Sequence, residues 1–103
     1  MRGPVKKPRP PARRARDEKD LFTAFAALKG VGEVERFMRD IATPAEIEAF
    51  AERWRIARML DEGQASYREI AAETGASTTT VGRVARYLRD EPHHGYRLVL
   101  NRT

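Results

Sequence analysis

The feature that most constrains the fold is the segment SYREIAAETGASTTTVGRV, residues 66–84. Each half begins with a serine, Ser66 or Ser77, that can cap a helix, and Gly75 between them suits the left-handed conformation that ends one. Glu69 follows Ser66 at the spacing of a capping box, in which the two residues bond each other's backbone amides. The segment therefore predicts two short helices joined by a tight turn. They span about residues 67–74 and 78–89.

A helix-turn-helix motif needs apolar residues on both helices to fix their crossing. Ile70 and Ala71 supply them on the first predicted helix, and Val81 and Val84 on the second. Thr74, just before the turn, is less apolar than the motif favours. A helical hairpin in an ordinary small core would give the same local pattern, so that alternative stays open.

The outer face of the second helix favours contact with DNA. No carboxylate stands between Gly75 and Arg89 to repel phosphate. Three consecutive threonines are poor helix formers, and a purely structural surface would gain from Glu or Lys. The alternative is that the threonines only cap and cover a solvated helix. The residues predicted on this face to contact DNA are Ser77, Thr78, Thr79, Gly82, Arg83 and Arg86.

The chain upstream is also helical by its apolar spacing. Thr43, Pro44 and Glu46 form a strong helix start, and Gly63 suits the end of the helix, which predicts a long helix over about 44–62. Before it, apolar stripes predict one helix from about Asp17 and a shorter one from about Val34, separated by Gly30 and Gly32. Beyond the Glu91-Pro92 stop, alternating residues from Tyr96 to Asn101 predict an extended tail. The expected fold is all-α with about five helices.

The first sixteen residues are strongly basic and differ in charge from the rest of the chain. Seven of the chain's 20 basic residues and none of its 15 acidic residues lie there. Its four prolines disfavour a helix, so we predict a disordered basic arm over 1–16, a helical domain over 17–90 and a tail over 91–103. Such an arm either adds affinity for phosphate backbones or acts as a solubilising tail.

The sequence gives no indication of a metalloprotein, an enzyme or a membrane protein. Cysteine is absent, and His93 and His94 are adjacent, so they cannot both face one ion from a helix; no metal or cofactor is expected. We find no catalytic grouping and expect no enzyme activity. No apolar run approaches the ~18 residues of a membrane span, and we expect a cytoplasmic protein.

The run TPAEIEAFAERWRIARMLDEG followed by SYREIAAETGASTTTVGRVARYL resembles the tryptophan repressor family, and within it the YerC/YecD-like branch. The resemblance is close over about residues 43–88. It implies an intertwined helical homodimer with two helix-turn-helix heads. It also implies a bacterial transcriptional regulator that represses transcription and associates with the nucleoid when it is bound to DNA. The residues that it makes candidates for the dimer core are Leu21, Phe22, Phe25, Leu28, Phe37, Met38, Ile47, Phe50 and Trp54.

The resemblance also implies DNA contacts. Arg68 matches a family position that contacts a guanine, although it could instead pair with Glu69 or Glu73. The other matched positions at or beside the groove are Thr78, Thr79, Thr80, Gly82 and Arg83.

The family's namesake is switched by tryptophan. Thr43, Arg53 and Arg83 match three positions of its pocket, but Val84 and Tyr87 are bulkier than the residues that leave room for the ligand. Tryptophan is therefore not expected to bind, and another effector stays open.

The sequence thus predicts a homodimeric, sequence-specific regulator that binds double-stranded DNA and places helix 78–89 in the major groove. The main alternative is an architectural DNA- or RNA-binding protein with little sequence preference. A more distant one is a protein adaptor that docks through its arm.

Overall fold

The computed structural model describes residues 11–103, and α-helix is the only regular secondary structure in this part of the chain. The predicted disorder of residues 1–10 lies outside the described residues. Within 11–103 no helix combines the length and apolarity needed to cross a bilayer. The described residues divide into two compact units, the first ending at Ile41 and the second spanning Ala42–Thr103. The helices are α1 (Pro11–Ala26), α2 (Gly30–Ile41), α3 (Pro44–Glu62), α4 (Tyr67–Thr74), α5 (Thr78–Arg89) and α6 (Gly95–Leu100).

Helix α1 corrects the predicted boundary of the disordered arm, because it begins at Pro11 and not near Asp17. Proline suits the first helical position, where its missing N–H costs no hydrogen bond. The alanines and arginines that follow are good helix formers, and no further proline interrupts them. Residues 11–16 are therefore helical.

Helix α2 also begins earlier than expected. Helix α1 ends at Ala26, and Gly30, with a left-handed φ of 78°, begins α2. Gly32 therefore lies inside α2. Within residues 11–41 the rings of Phe25 and Phe37 meet edge to face, with centroids 5.1 Å apart. No residue of α1 or α2 is buried in the single chain.

The second unit contains the whole buried core of the described chain. Helices α3, α4 and α5 pack against one another, and α6 contacts α3 and α5. The core side chains are at most 5% exposed. They are Ile56, Ala57 and Leu60 of α3, Ile70 of α4, and Val81, Val84, Ala85 and Leu88 of α5.

The three helices that carry the motif have the predicted bounds. Thr43 and Ser66 each accept a hydrogen bond from the backbone N–H three residues on, and Glu46 and Glu69 accept the reciprocal bonds at 2.8 and 2.9 Å. Gly75 ends α4 with a left-handed φ of 80°, as its position predicted.

The structure explains why a threonine, and not a more apolar residue, stands at position 74 before the turn. Its hydroxyl donates to the carbonyl of Ile70 at 2.7 Å and accepts from the N–H of Ala76 at 3.3 Å. One hydroxyl thus satisfies a carbonyl at the end of α4 and an amide of the turn. A valine in this position could do neither.

The extended tail is a wrong prediction, since Gly95–Leu100 form helix α6. Tyr96 and Leu100, one helical turn apart, pack against the core, and Arg97 forms an ion pair with Asp61 of α3 at 2.9 Å. Tertiary packing stabilises six residues that would not hold a helix by themselves. The described chain therefore has six helices, where about five were predicted.

Candidate nucleic-acid interface

The buried face of α5 determines which of its residues face outward. Val81, Val84, Ala85 and Leu88 point into the core at three- and four-residue spacing. The residues between them lie on the opposite side of the helix, which no other described helix covers at Thr78, Thr79, Arg83 or Arg86. Helix α5 thus presents one polar, carboxylate-free face to the outside.

The hydroxyls of this face fall into two groups. Ser77 Oγ accepts from the backbone N–H of Thr80 at 3.1 Å and lies 3.0 Å from Thr80 Oγ1, so these two hydroxyls serve the helix start. Thr78 and Thr79 are exposed, and neither side chain forms a hydrogen bond within residues 11–103. Their hydroxyls are available to an external partner.

Gly82 lies in the middle of α5, where no crowding among residues 11–103 requires a glycine. A Cβ at this position would meet no atom within 4 Å, and its φ is not positive. A glycine in a helix interior costs about 1 kcal/mol relative to alanine. Neither backbone strain nor crowding within the described chain accounts for its presence.

The guanidinium groups of Arg83 and Arg86 both lie over the ring of Tyr87. Their guanidinium carbons lie 4.6 and 5.2 Å from the centroid of the Tyr87 ring. Within residues 11–103 neither arginine forms an ion pair. In particular, Arg83 forms no ion pair with the nearby Asp90 within this part of the chain.

Arg68 is exposed at the start of α4 and has no ion pair within the described range. The two acids that could have paired with it are engaged elsewhere. Glu69 accepts the capping bond from Ser66, and Glu73 lies 3.3 Å from Arg55 of α3. The pairing alternative for Arg68 is therefore not realised within the chain.

The residues predicted for an effector pocket are mostly committed to internal contacts. Val84 is 1% exposed and belongs to the core. The hydroxyl of Thr43 caps α3, and the Arg53 guanidinium lies 5.8 Å from the Phe50 ring. Tyr87 lies under two arginines. Of the five predicted residues, Arg83 and Tyr87 contact each other, whereas Thr43, Arg53 and Val84 engage other partners.

Tyr96, which local spacing did not mark as a site residue, connects two of the pocket residues. Partial burial raises the pKa of its phenol, and the positive charges of Arg53 and Arg83 act in the opposite direction. Both guanidiniums therefore lie within Coulombic range of the Tyr96 hydroxyl. The predicted extended tail concealed this residue, because only a helix brings it onto the core.

A second tyrosine links the two helices of the motif. Arg89 of α5 donates to the hydroxyl of Tyr67 of α4 at 3.4 Å. Neither residue was selected from the sequence, since nothing in the spacing of 22 residues signals the contact.

The described residues offer no grouping suited to metal chemistry. Within 11–103 no three His, Asp or Glu side chains come close enough to hold an ion. His93 and His94 are both exposed in the turn before α6, where His94 has a left-handed φ of 55°.

Two short, capped helices joined by a left-handed glycine, packed on a third and presenting a carboxylate-free face, define a helix-turn-helix protein. The family model described as Trp repressor protein matches residues 17–103. The chain belongs to the Trp repressor family, which is a family of DNA-binding regulators and not a class of enzymes.

Individual relatives agree with this assignment. The chain is 40% identical over 89 residues to the uncharacterized protein YerC of Bacillus subtilis (strain 168), covering 86% of this chain and 84% of that protein. A TrpR-like protein of Eubacterium eligens superimposes with a TM-score of 0.77 at 38% identity, over 84% of this chain and 88% of that one. A Staphylococcus aureus protein proposed to be a Trp repressor gives a TM-score of 0.76 at 32% identity, over 84% and 85% of the two chains.

Proposed function

We propose that this protein is a sequence-specific transcriptional regulator that binds operator DNA as a homodimer and represses transcription by occupying it. Helix α5 enters the major groove, and Arg68 approaches a base from the start of α4. The observation that carries the proposal is the outward face of α5, where Gly82, Thr78 and Thr79 have no role within the described chain.

Gly82 is the residue of that face that most strongly indicates close contact with DNA. Its cost to the helix is balanced if another backbone must approach closely at this point, and a DNA strand in the groove is such a backbone. The free hydroxyls of Thr78 and Thr79 can donate to phosphate oxygens or to base edges, and Arg83 and Arg86 supply positive charge. Sequence choice then depends on Arg68 and the threonines.

The homodimer is supported by the first unit. Phe22 is 63% exposed, Val31 84% and Ile41 50%, and no residue of α1 or α2 is buried. Large apolar side chains on two helices without a core need a covering surface, and a second copy of the same chain supplies a matching one. A twofold dimer places its two recognition helices at half-sites about 34 Å apart, so the operator should be palindromic.

The decisive experiment is the substitution Gly82→Ala. It should raise the free energy of unfolding by up to about 1 kcal/mol, because alanine is the better helix former. It should also weaken binding to the operator, because the new methyl group stands where DNA approaches. The operator itself is obtained by selection from random duplex DNA, and the affinity is measured by fluorescence anisotropy.

Gly95→Ala is the matched control, since Gly95 is also helical, also has open space where a Cβ would stand, and lies outside the first unit. It should stabilise the protein to a similar extent and leave DNA affinity unchanged. If Gly82→Ala bound the selected duplex as well as the parent protein, the proposed orientation of α5 would be wrong. If the selection returned no preferred sequence, with similar affinity for all duplexes, the architectural alternative would replace specific regulation.

Tryptophan is not expected to change the result. Val84 is buried and Tyr87 is covered by two arginines, so neither leaves the space that the namesake uses for its ligand. The selection repeated with tryptophan should yield the same sequence at the same affinity.

A further inference from the structure

Tyr87 is the only residue of α5 on which two guanidiniums converge within the described chain. Arg83 lies one helical turn before it, at 4.6 Å from the ring centroid, and Arg86 lies next to it, at 5.2 Å. Both distances fall within the ~6 Å over which a cation is attracted to the face of an aromatic ring. Aromatic side chains in a helix lean toward its N-terminus, which brings the Tyr87 ring over Arg83.

A contact between an arginine and an aromatic ring differs from an ion pair because it leaves hydrogen-bond donors and the positive charge of the arginine available. A carboxylate would occupy the N–H groups of an arginine and cancel its charge. An aromatic ring attracts the guanidinium through the negative face of its π system, so it neither accepts all the N–H groups nor cancels the positive charge. Within residues 11–103 neither Arg83 nor Arg86 has a carboxylate partner, so the ring is the contact that restrains both.

The restraint matters because arginine side chains are flexible. A free guanidinium loses rotamer entropy when a phosphate immobilises it, and prior ordering reduces that cost. Helix α5 offers no other aromatic residue for this task. We propose that Tyr87 is a positioning residue that holds Arg83 and Arg86 side by side, with their donors directed outward, for contact with successive phosphates of one DNA strand. The inference rests on the proposed DNA-binding function and adds to it a residue that need not touch DNA.

The test compares Tyr87→Phe with Tyr87→Leu. Phenylalanine keeps the ring and removes only the hydroxyl, whereas leucine removes the ring and is a better helix former, so α5 should persist. The first measurement is made without DNA, by NMR of the Arg83 and Arg86 side chains. Both should show upfield ring-current shifts in the parent protein and in Tyr87→Phe, and both shifts should vanish in Tyr87→Leu.

The second measurement is affinity for the selected duplex at several salt concentrations. Tyr87→Phe should bind like the parent, and Tyr87→Leu should bind about tenfold more weakly, as expected for the loss of two exposed stacks. Equal weakening by both substitutions would assign the role to the hydroxyl and overturn the inference. So would undiminished binding by Tyr87→Leu, or the absence of ring-current shifts in the parent protein.

Failure of the proposed function gives a different result. The parent protein itself would then bind no duplex preferentially, and the inference would fall with the function. If the parent binds its operator and Tyr87→Leu binds equally well, the function stands and only the role of Tyr87 is rejected.

Discussion

Arg97 of α6 lies with a guanidinium nitrogen 2.9 Å from a carboxylate oxygen of Asp61 in α3, and this pair joins the C-terminal helix to the longest helix of the described chain. Tyr96, the preceding residue, packs against the core within Coulombic range of Arg53 and Arg83. Helix α6 thus braces α3 and α5 against each other.

The Asp61–Arg97 pair should contribute little energy by itself, because both side chains are more than a third exposed and water screens them. In a double-mutant cycle of Asp61→Ala and Arg97→Ala, urea unfolding should give a coupling energy of about 0.5 kcal/mol that declines at high salt. Tyr96→Ala should cost more than either substitution, because it removes apolar contacts with the core. A coupling energy of zero at low salt would mean that the pair does not act as a brace.

Thr74→Val should destabilise the protein by about 1–2 kcal/mol, although the two side chains have nearly the same shape. The change leaves the carbonyl of Ile70 and the N–H of Ala76 without their bonds to the hydroxyl. Chemical denaturation measures the loss, and Thr74→Ser, which keeps the hydroxyl, is the control. Equal stability of the valine variant and the parent would show that water replaces the hydroxyl.

The two capping boxes predict a pH dependence of stability. Hydrogen bonds from the backbone N–H groups of Thr43 and Ser66 lower the pKa values of Glu46 and Glu69 below the usual value of a glutamate. A carboxylate with a lowered pKa in the folded state stabilises the protein above its unfolded-state pKa, and this contribution is lost as the pH falls through the folded-state pKa.

The urea midpoint should therefore fall as the pH is lowered from about 5 to about 3. The double variant Glu46→Gln/Glu69→Gln should show a shallower decline, because an amide accepts the capping bond at every pH. Parallel pH profiles for the two proteins would contradict this origin of the acid sensitivity.

Arg68→Ala should relax the sequence preference at one base pair of each half-site. Loss of a two-pronged contact to guanine costs about 1–3 kcal/mol against the preferred base and leaves the other positions unchanged. Selection from random duplexes with the variant measures this directly. Arg39→Ala is the control, since Arg39 pairs with Glu35 on α2, outside the motif, and should not affect base preference. A uniform loss of affinity for all sequences would instead identify Arg68 as a phosphate contact.

Polar substitution in the first unit should dissociate the proposed dimer. Phe22→Ser and Ile41→Ser remove apolar side chains that are 63% and 50% exposed in the single chain, so a monomer would tolerate both. Sedimentation should show a shift from dimer to monomer at micromolar concentration. Leu98→Ser, at a residue that is 52% exposed in α6, should leave the mass unchanged. A parent protein that sediments as a monomer would refute the dimer outright.

The sequence by itself determined the helix-turn-helix segment and the long helix before it. Thr43, Ser66, Ser77 and Gly75 act through hydrogen bonds and backbone conformations that involve only residues a few positions away, so their effect can be predicted from local spacing. The buried face of α5 followed from the same helical period.

Only the tertiary structure decided the C-terminal helix α6 and the surroundings of the candidate site. Helix α6 exists because Tyr96 and Leu100 find the core and Arg97 finds Asp61, contacts between residues far apart in sequence. The engagement of Glu73 with Arg55 and the approach of Tyr96 to Arg53 and Arg83 likewise depend on how the helices pack. Local patterns hold no information about such partners, because packing selects them from the whole chain.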